Sequence, residues 1–172
     1  VLPCERITLV NPFKTRIIAE AQVKTDKVDA RILALLLRAG LVSSVHIPSR
    51  TTRERKEVLR QRCFFVRQRT MLRNRIHRLL GAQHDLKLPQ VSDLFGRKGM
   101  AFLEKLELQA PAGLLLKQQL DMLKSVQLRI KEDEAALAEM MSTQKGQAHL
   151  LSLPGMGPIL AAVVMSEVDE VS

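Results

Sequence analysis

The sequence predicts a mainly α-helical protein with a short α/β piece near its N-terminus. Three observations favour this fold class. Leu, Ala, Lys, Arg, Gln and Glu dominate the 172 residues, and all of them favour helices. Apolar residues recur every three or four positions over two long stretches, whereas a β-branched apolar run occurs at residues 6–10. Apolar residues make up 46% of the chain, which is enough to form a folded core.

The first 49 residues predict a strand followed by two helices. The run Arg-Ile-Thr-Leu-Val at 6–10 is typical of a strand, and Asn11-Pro12 supplies a helix cap with proline at the first helical position. The first helix is expected from Pro12 to Ala21. The second is expected from Asp26 to Ala39, ended by Gly40 as a C-cap. A strand with two helices is an α/β fragment whose other strands lie elsewhere.

The middle of the chain predicts one long helix from Thr51 to Leu80, which ends at Gly81. A shorter helix is expected from Gly99 to Leu108. The apolar residues of the long helix form a narrow stripe: Leu59, Val66, Ile76, Leu79 and Leu80, together with Cys63 and Phe64.

A second long helix is predicted from Leu114 to Met141. Its spacing alternates steps of four and three, as in a coiled-coil seam, with two polar interruptions. The simplest arrangement pairs this helix antiparallel with the 51–80 helix in a protruding coiled-coil arm. The seam residues are Leu116, Leu120, Leu123, Gln127, Ile130, Glu134, Leu137 and Met141.

The positive charge is concentrated in one segment. Eleven of the 27 basic residues, but only two of the 18 acidic ones, lie between Arg50 and Arg78, so this segment accounts for the whole net charge of +9. Ten of the eleven are arginines, whose planar guanidinium matches phosphate and stacks on bases. The pattern predicts nucleic-acid binding. We expect the contacts to come from Arg60, Arg62, Arg67, Arg69, Arg73, Arg75 and Arg78.

Two other readings of this segment stay open. It could be a solvated coiled-coil face, or a surface that pairs with an acidic neighbour. A membrane surface is less favoured, because the segment lacks a large apolar face with Trp.

Asp26 and Asp29 are the candidate catalytic and metal-binding residues. On a helix, positions three apart share a face, so both carboxylates can point at one divalent ion. Such oxygen ligands suit Mg²⁺, which often takes only one or two carboxylates. Lys24 and Lys27 flank the pair and favour a phosphate-bearing substrate. The alternative is structural, since acidic residues in a first helical turn also cap the helix and complement its dipole.

A tight turn near the C-terminus is typical of a helix-hairpin-helix. Leu150 to Pro158 contains Pro-Gly-Met-Gly between two apolar helical segments. Glycines at 155 and 157 allow positive φ and let a phosphate approach the backbone N–H groups of the next helix. We therefore name Gly155 and Gly157 as candidate phosphate contacts. An ordinary tight turn between packed helices is the alternative.

Several classes of function find no support in the sequence. No run of 18 uncharged apolar residues exists, and the N-terminus shows no signal segment. Cys4 and Cys63 lack zinc-ligand spacing, so reduced thiols and a cytoplasmic location are expected. The four histidines form no metal-binding or nucleophile-activating pattern.

In this order, the motifs resemble the DEDD-type transposases of bacterial insertion sequences. This family is related to the Piv DNA invertase and is described as RNA-guided recombinases. The resemblance spans nearly the whole chain. Its matching segments are Val10-Asn11-Pro12, Lys24-Thr25-Asp26-x-x-Asp29-Ala30 with Leu33-Ala34, Arg69-Thr70, Asn74-Arg75, Asp93-Leu94-Phe95-Gly96 and Leu153-Pro154-Gly155-Met156-Gly157-Pro158.

The resemblance implies a RuvC-like domain of the RNase H type, in which four acids, Asp-Glu-Asp-Asp, hold Mg²⁺. Asp26 and Asp29 would be the last two, and Glu5 and Glu20 do not match the position of the Glu. It also implies a serine nucleophile downstream of the Pro-Gly-x-Gly turn, a role we assign to none of Ser152, Ser166 and Ser172. The implied partners are DNA, a guide RNA and further copies of the chain through the coiled coil.

The resemblance divides the chain into three parts. Residues 1–49 would end a RuvC-like catalytic domain, 50–145 would form the basic coiled-coil region, and 146–172 would begin a helix-hairpin-helix transposase domain. We expect a piece of a longer recombinase that is inactive alone, because half of the acidic site and the serine motif are missing. Two rival hypotheses are a non-enzymatic nucleic-acid-binding helical module and a coiled-coil scaffold that binds only protein.

Overall fold

A computed structural model describes residues 9–11, 13, 26–42, 44–83, 86–144 and 146–168 of the chain. These residues are mainly helical, as predicted. The chain divides into two compact units, Val1–Ser49 and Arg50–Ser172.

The first unit contains helix α1, Asp26–Arg38. Gly40 ends it with a positive φ of 68°, a conformation that glycine adopts without strain. The N–H of Gly40 donates to the carbonyl of Leu37 at 3.2 Å, and the N–H of Leu41 donates to that of Leu36 at 3.0 Å. This pair of bonds is a Schellman motif, which satisfies two of the last helical carbonyls. The predicted glycine C-cap is therefore correct.

The predicted strand at 6–10 and the predicted helix at 12–21 fall largely outside the described residues. Of the strand, Leu9 and Val10 are described. Val10 forms an isolated antiparallel bridge with Ser44, and the N–H of Val45 donates to the carbonyl of Leu9 at 2.8 Å. The described residues thus show one bridge here, and the RuvC-like sheet stays a prediction.

The described residues of the second unit form five helices. They are α2 (Arg50–Gly81), α3 (Arg97–Lys105), α4 (Ala112–Ser142), α5 (Gln147–Leu151) and α6 (Pro158–Val168). The long helices predicted at 51–80 and 114–141 correspond to α2 and α4, within two residues at each end. None of the helices in the described parts of either unit is long and apolar enough to cross a membrane.

Helices α2 and α4 pack against each other in antiparallel order. Buried Leu59, near the start of α2, shares a cluster with Leu137 and Met141, near the end of α4. Conversely, Ile76 of α2 clusters with Leu120 of α4. All six apolar positions of the predicted α4 seam are buried. Their alternating steps of four and three residues keep them on the one face of α4 that contacts α2.

The α2 stripe was only partly predicted. Leu59, Ile76 and Leu80 are buried, but Cys63 is exposed and Phe64 keeps 51% of its surface in solvent, so the apolar stripe and the buried face of α2 coincide only in part. Leu72, which the stripe omitted, is buried. Apolar residues occur on two faces of α2, since Met71 is exposed and Leu72 is buried, so spacing alone does not show which face packs against α4.

The connector between α2 and α3 covers one end of the helix pair. The side chain of Asp93 accepts the N–H of Phe95 at 2.9 Å, a local turn that directs the Phe95 ring into the larger core. Gly99 follows in α3 and comes so close to Leu94 that a Cβ atom there would lie 2.1 Å from the Leu94 carbonyl oxygen. The Asp-Leu-Phe-Gly motif therefore anchors the connector.

Helix α6 packs at the other end of the pair. Ala162 is fully buried in the cluster that contains Leu59. The guanidinium of buried Arg55 donates to the carbonyl of Met165 at 3.4 Å, and Lys56 pairs with Glu167 at 3.1 Å. Cations placed near a helix C-terminus complement its dipole. The N-terminal part of α2 thus holds the C-terminal turns of α6.

Candidate nucleic-acid interface and acidic pair

Asp26 and Asp29 lie in the first turn of α1, and both are exposed. Their i, i+3 spacing places them on neighbouring positions of the helix surface. Lys27 is exposed beside them, whereas Lys24 lies outside the described residues. This placement suits a helix cap and also suits two carboxylates open to an ion in solvent.

Metal binding by this pair would need further ligands. Across the described ranges, no group of three or more His, Cys, Asp or Glu side chains is arranged to hold a metal ion. Two exposed carboxylates match the one or two that Mg²⁺ commonly takes from protein, with water and phosphate completing its octahedron. The pair therefore fits part of a magnesium site.

The predicted arginines of α2 divide into two groups. The first group is engaged within the fold. The Arg62 guanidinium contacts Oε1 of Glu134 on α4 at 2.7 and 2.8 Å, which ties the two long helices together. The Arg73 guanidinium lies 4.9 Å from the centre of the Phe95 ring, a cation–π contact. Arg60 pairs with Glu57 at 2.6 Å on the helix surface, and Arg69 is half-buried.

The second group consists of Arg67, Arg75 and Arg78. All three are exposed, and no carboxylate among the residues that the structure describes pairs with them. Unpaired guanidinium groups keep their full charge and all their donors available for phosphate. This group is the better candidate for backbone contacts.

These arginines belong to one surface, here called the outward face of α2, which lies opposite the buried stripe. A shallow groove of about 670 Å³ follows it, lined by residues between Val66 and Arg78. Sequence reasoning missed the uncharged residues of this face. The signal was a second run of alternating three and four steps. The outward face comprises Arg60, Phe64, Arg67, Met71, Asn74, Arg75 and Arg78, all exposed.

A half-buried carboxyl group lies beside the Arg62–Glu134 pair. Burial raises the pKa of the Asp133 carboxyl above its usual value, the charge of Glu132 raises it further, and Arg62 opposes the shift. One carboxyl oxygen of Asp133 is buried without a hydrogen bond among the described residues. The negative charge of Asp133 is thus poorly compensated within the fold.

The Pro-Gly-Met-Gly turn connects α5 to α6. Gly155 has a positive φ of 81°, but Gly157 does not, so only the first glycine needs its conformational freedom. Both glycines are exposed, and a Cβ at either would meet nothing within 4 Å. The Gly157 carbonyl accepts the N–H of Ala161 at 2.9 Å, and Pro158 opens the helix. The turn leaves the backbone accessible, as a phosphate contact would require.

Comparison with known proteins gives a family match over part of the chain. Residues 6–84 match the model of the IS110-type DEDD transposases, a family described as transposases. Over these residues, which make up less than half of the chain, the sequence is similar to that family. The match includes Asp26, Asp29 and the whole of α2. No curated protein and no solved structure gives a significant match.

Proposed function

We propose that the chain is part of a DNA transposase or site-specific recombinase, with half of a Mg²⁺-dependent acidic site in its first unit and a nucleic-acid-binding helix in its second. The observation that carries the proposal is the transposase match, which contains both the acidic pair and the basic helix. The enzyme would act on DNA phosphodiesters and operate in the bacterial cytoplasm.

Asp26 and Asp29 would hold Mg²⁺ together with acids from another part of the protein. When bound, the metal would polarise a DNA phosphate and stabilise charge that develops during strand cleavage. The two carboxylates would fix the position of the ion from the exposed first turn of α1. Two acids give only part of this chemistry, so we do not expect strand cleavage from this chain alone.

The outward face of α2 would hold the phosphate backbone of DNA or of a guide RNA. Its support is electrostatic, because Arg67, Arg75 and Arg78 are exposed and have no carboxylate partner among the described residues. Gly155 and Gly157 would add backbone contacts at the start of α6. The packed pair of α2 and α4 would present this face and would also offer a surface for assembly with further copies.

The test separates catalysis from binding. In a transposase that includes this chain, replacing Asp26 and Asp29 together by Asn should abolish recombination and leave DNA binding intact. A matched control replaces exposed Asp121 and Glu139 of α4 by Asn and Gln and should leave both activities unchanged. Recombination that persists in the Asp26→Asn, Asp29→Asn variant would show that the two residues only cap the helix.

A further inference from the structure

We propose that the outward face of α2 binds unpaired nucleotides, with Phe64 stacking on a base while the flanking arginines contact phosphates. This inference rests on the proposed nucleic-acid binding by α2 and assigns a substrate class and a stacking residue to that face. The shared chemistry is an unpaired base on a phosphate backbone, which single-stranded RNA or DNA can supply.

The exposure of Phe64 is the first observation. In the second unit, Phe95 is buried and Phe102 packs against the same core, whereas Phe64 is 51% exposed. Its ring lies 5.5 Å from that of Phe65, at an angle of 58°. This contact restricts the ring while half of the side chain stays in solvent. A partly ordered, exposed aromatic ring is a suitable platform for a base.

The position of Phe64 among the cations is the second observation. Arg60 precedes it by four residues and Arg67 follows it by three, so all three share one face. The two arginines stand about 10 Å apart along the helix axis. A base stacked on Phe64 would therefore have the unpaired guanidinium of Arg67 on one side and, on the other, that of Arg60, which would contact phosphate while paired with Glu57 or after leaving it. In a duplex the bases stack on each other, and a side chain at this position would meet only backbone.

Charge argues against a second copy of the chain on this face. The outward positions have coiled-coil spacing, but arginines occupy several of them, including Arg60, Arg67 and Arg78. A self-associating helix would bring these like charges together in one seam, which is destabilising. A bound nucleic acid would neutralise these like charges, and one of its bases would stack on Phe64.

The absence of Trp and Tyr from all 172 residues allows a direct test. Phe64→Trp would be the only strong emitter in the protein. Its control is Leu128→Trp on α4, where the native side chain is 57% exposed. Both full-length variants are titrated with a single-stranded RNA, a single-stranded DNA of the same sequence and the DNA duplex. We expect both single strands to quench Phe64→Trp, and neither to quench Leu128→Trp. Unchanged emission from Phe64→Trp at saturation overturns the proposal.

Affinity gives the second readout. Phe64→Ala should weaken single-strand binding roughly 5- to 150-fold, the range reported for loss of one stacked base. Duplex binding should change less than about twofold, since phosphate contacts remain. Equal loss for both forms overturns the stacking role, as does a change in oligomeric state of Phe64→Ala, which would indicate a second copy on this face.

The two single-strand arms identify the source of the base. Tighter binding of the RNA indicates recognition of ribose hydroxyls, and equal binding indicates a general single-strand site; both results support the stacking role.

A third variant distinguishes failure of the stacking proposal from failure of the proposed nucleic-acid binding by α2. This variant replaces Arg67, Arg75 and Arg78 by Gln. If it loses all binding while Phe64→Ala binds normally, only the stacking role fails. If no variant or native chain binds any oligonucleotide at low salt, both proposals fail.

Discussion

Replacing Arg67, Arg75 and Arg78 together by Gln should weaken nucleic-acid binding in a salt-dependent manner. Each of these side chains is exposed and has no carboxylate partner among the described residues, so each can neutralise one phosphate. Neutralising one phosphate contributes roughly −0.9 to the slope of log K against log salt on duplex DNA and about −0.7 on single strands. The triple variant should therefore flatten that slope by about 2.1 to 2.7.

The same numbers give the loss of affinity. If these contacts are purely electrostatic, native and variant affinities converge near 1 M salt. At about 0.1 M salt the variant should then bind roughly 100- to 500-fold more weakly. Fluorescence anisotropy of a labelled oligonucleotide, measured at five or more salt concentrations, gives both the slope and the affinity.

A control of equal charge separates local contacts from net charge. Arg50, Lys124 and Arg129 are exposed cations that pair with Glu54, Glu104 and Glu132. Changing these three to Gln lowers the net charge by the same amount but removes cations that already have partners. The control should keep most of the native slope. A native slope in the Arg67, Arg75 and Arg78 variant, or equal flattening in both variants, would refute the assignment of phosphate contacts to the outward face.

Three further predictions concern the fold. A double-mutant cycle of Arg62→Gln with Glu134→Gln, measured by urea unfolding, should give a coupling free energy of about 1 kcal/mol, because the pair is half-buried and bridges two helices; zero coupling would contradict this. Gly99→Ala should destabilise the protein by about 1–3 kcal/mol, because the added Cβ atom would clash with the Leu94 backbone. Gly81→Ala, with open space around it, should stabilise the protein by up to about 1 kcal/mol. Equal effects of the two substitutions on thermal unfolding would show that the Leu94 backbone moves to accommodate the Cβ atom. Burial raises the folded-state pKa of Asp133, so ionisation of this carboxyl lowers the free energy of unfolding as pH rises. Asp133→Asn should therefore be more stable than the native chain at neutral pH and should lose this advantage toward about pH 3. An advantage independent of pH would exclude ionisation as its cause.

Apolar spacing predicted the helices and the α4 side of the core. Leu116, Leu123 and Leu137 are buried because a repeat of alternating three and four steps keeps returning to one face of a helix. Glycines predicted helix ends equally well, since Gly40 adopts the positive φ that a Schellman motif requires. Periodicity and backbone preference are local properties, and the sequence states them directly.

The α2 side of the core was harder to predict because two overlapping repeats run along it. One repeat contains Leu59 and Ile76, which are buried, and the other contains Phe64 and Met71, which are exposed. Hydrophobicity alone does not decide which repeat faces α4. The arginines do not decide it either, since Arg62 and Arg73 lie on the packed side of α2, where they contact Glu134 and Phe95.

The roles of individual arginines also depend on residues distant in sequence. Arg62 and Arg67 look alike in a basic run, but only Arg62 lies opposite Glu134 of α4. Arg73 is likewise committed to Phe95, which reaches it only because the turn at Asp93 directs that ring inward. Composition therefore predicted a basic helix, and the antiparallel packing determines which of its cations remain available.

The distinction between paired and unpaired arginines helps to explain why α2 has so many of them. A helix that only needed solubility could pair its cations with acids three or four residues away, as Arg60 does with Glu57. Beyond Glu57, α2 contains no further acidic residue, so its C-terminal half cannot neutralise itself. The cations that α4 and Phe95 do not engage are left as like charges on one face, which destabilises an isolated helix. A bound polyanion would neutralise these charges and remove that cost. In the absence of a polyanion, the packing of α2 against α4 offsets the repulsion between the arginines.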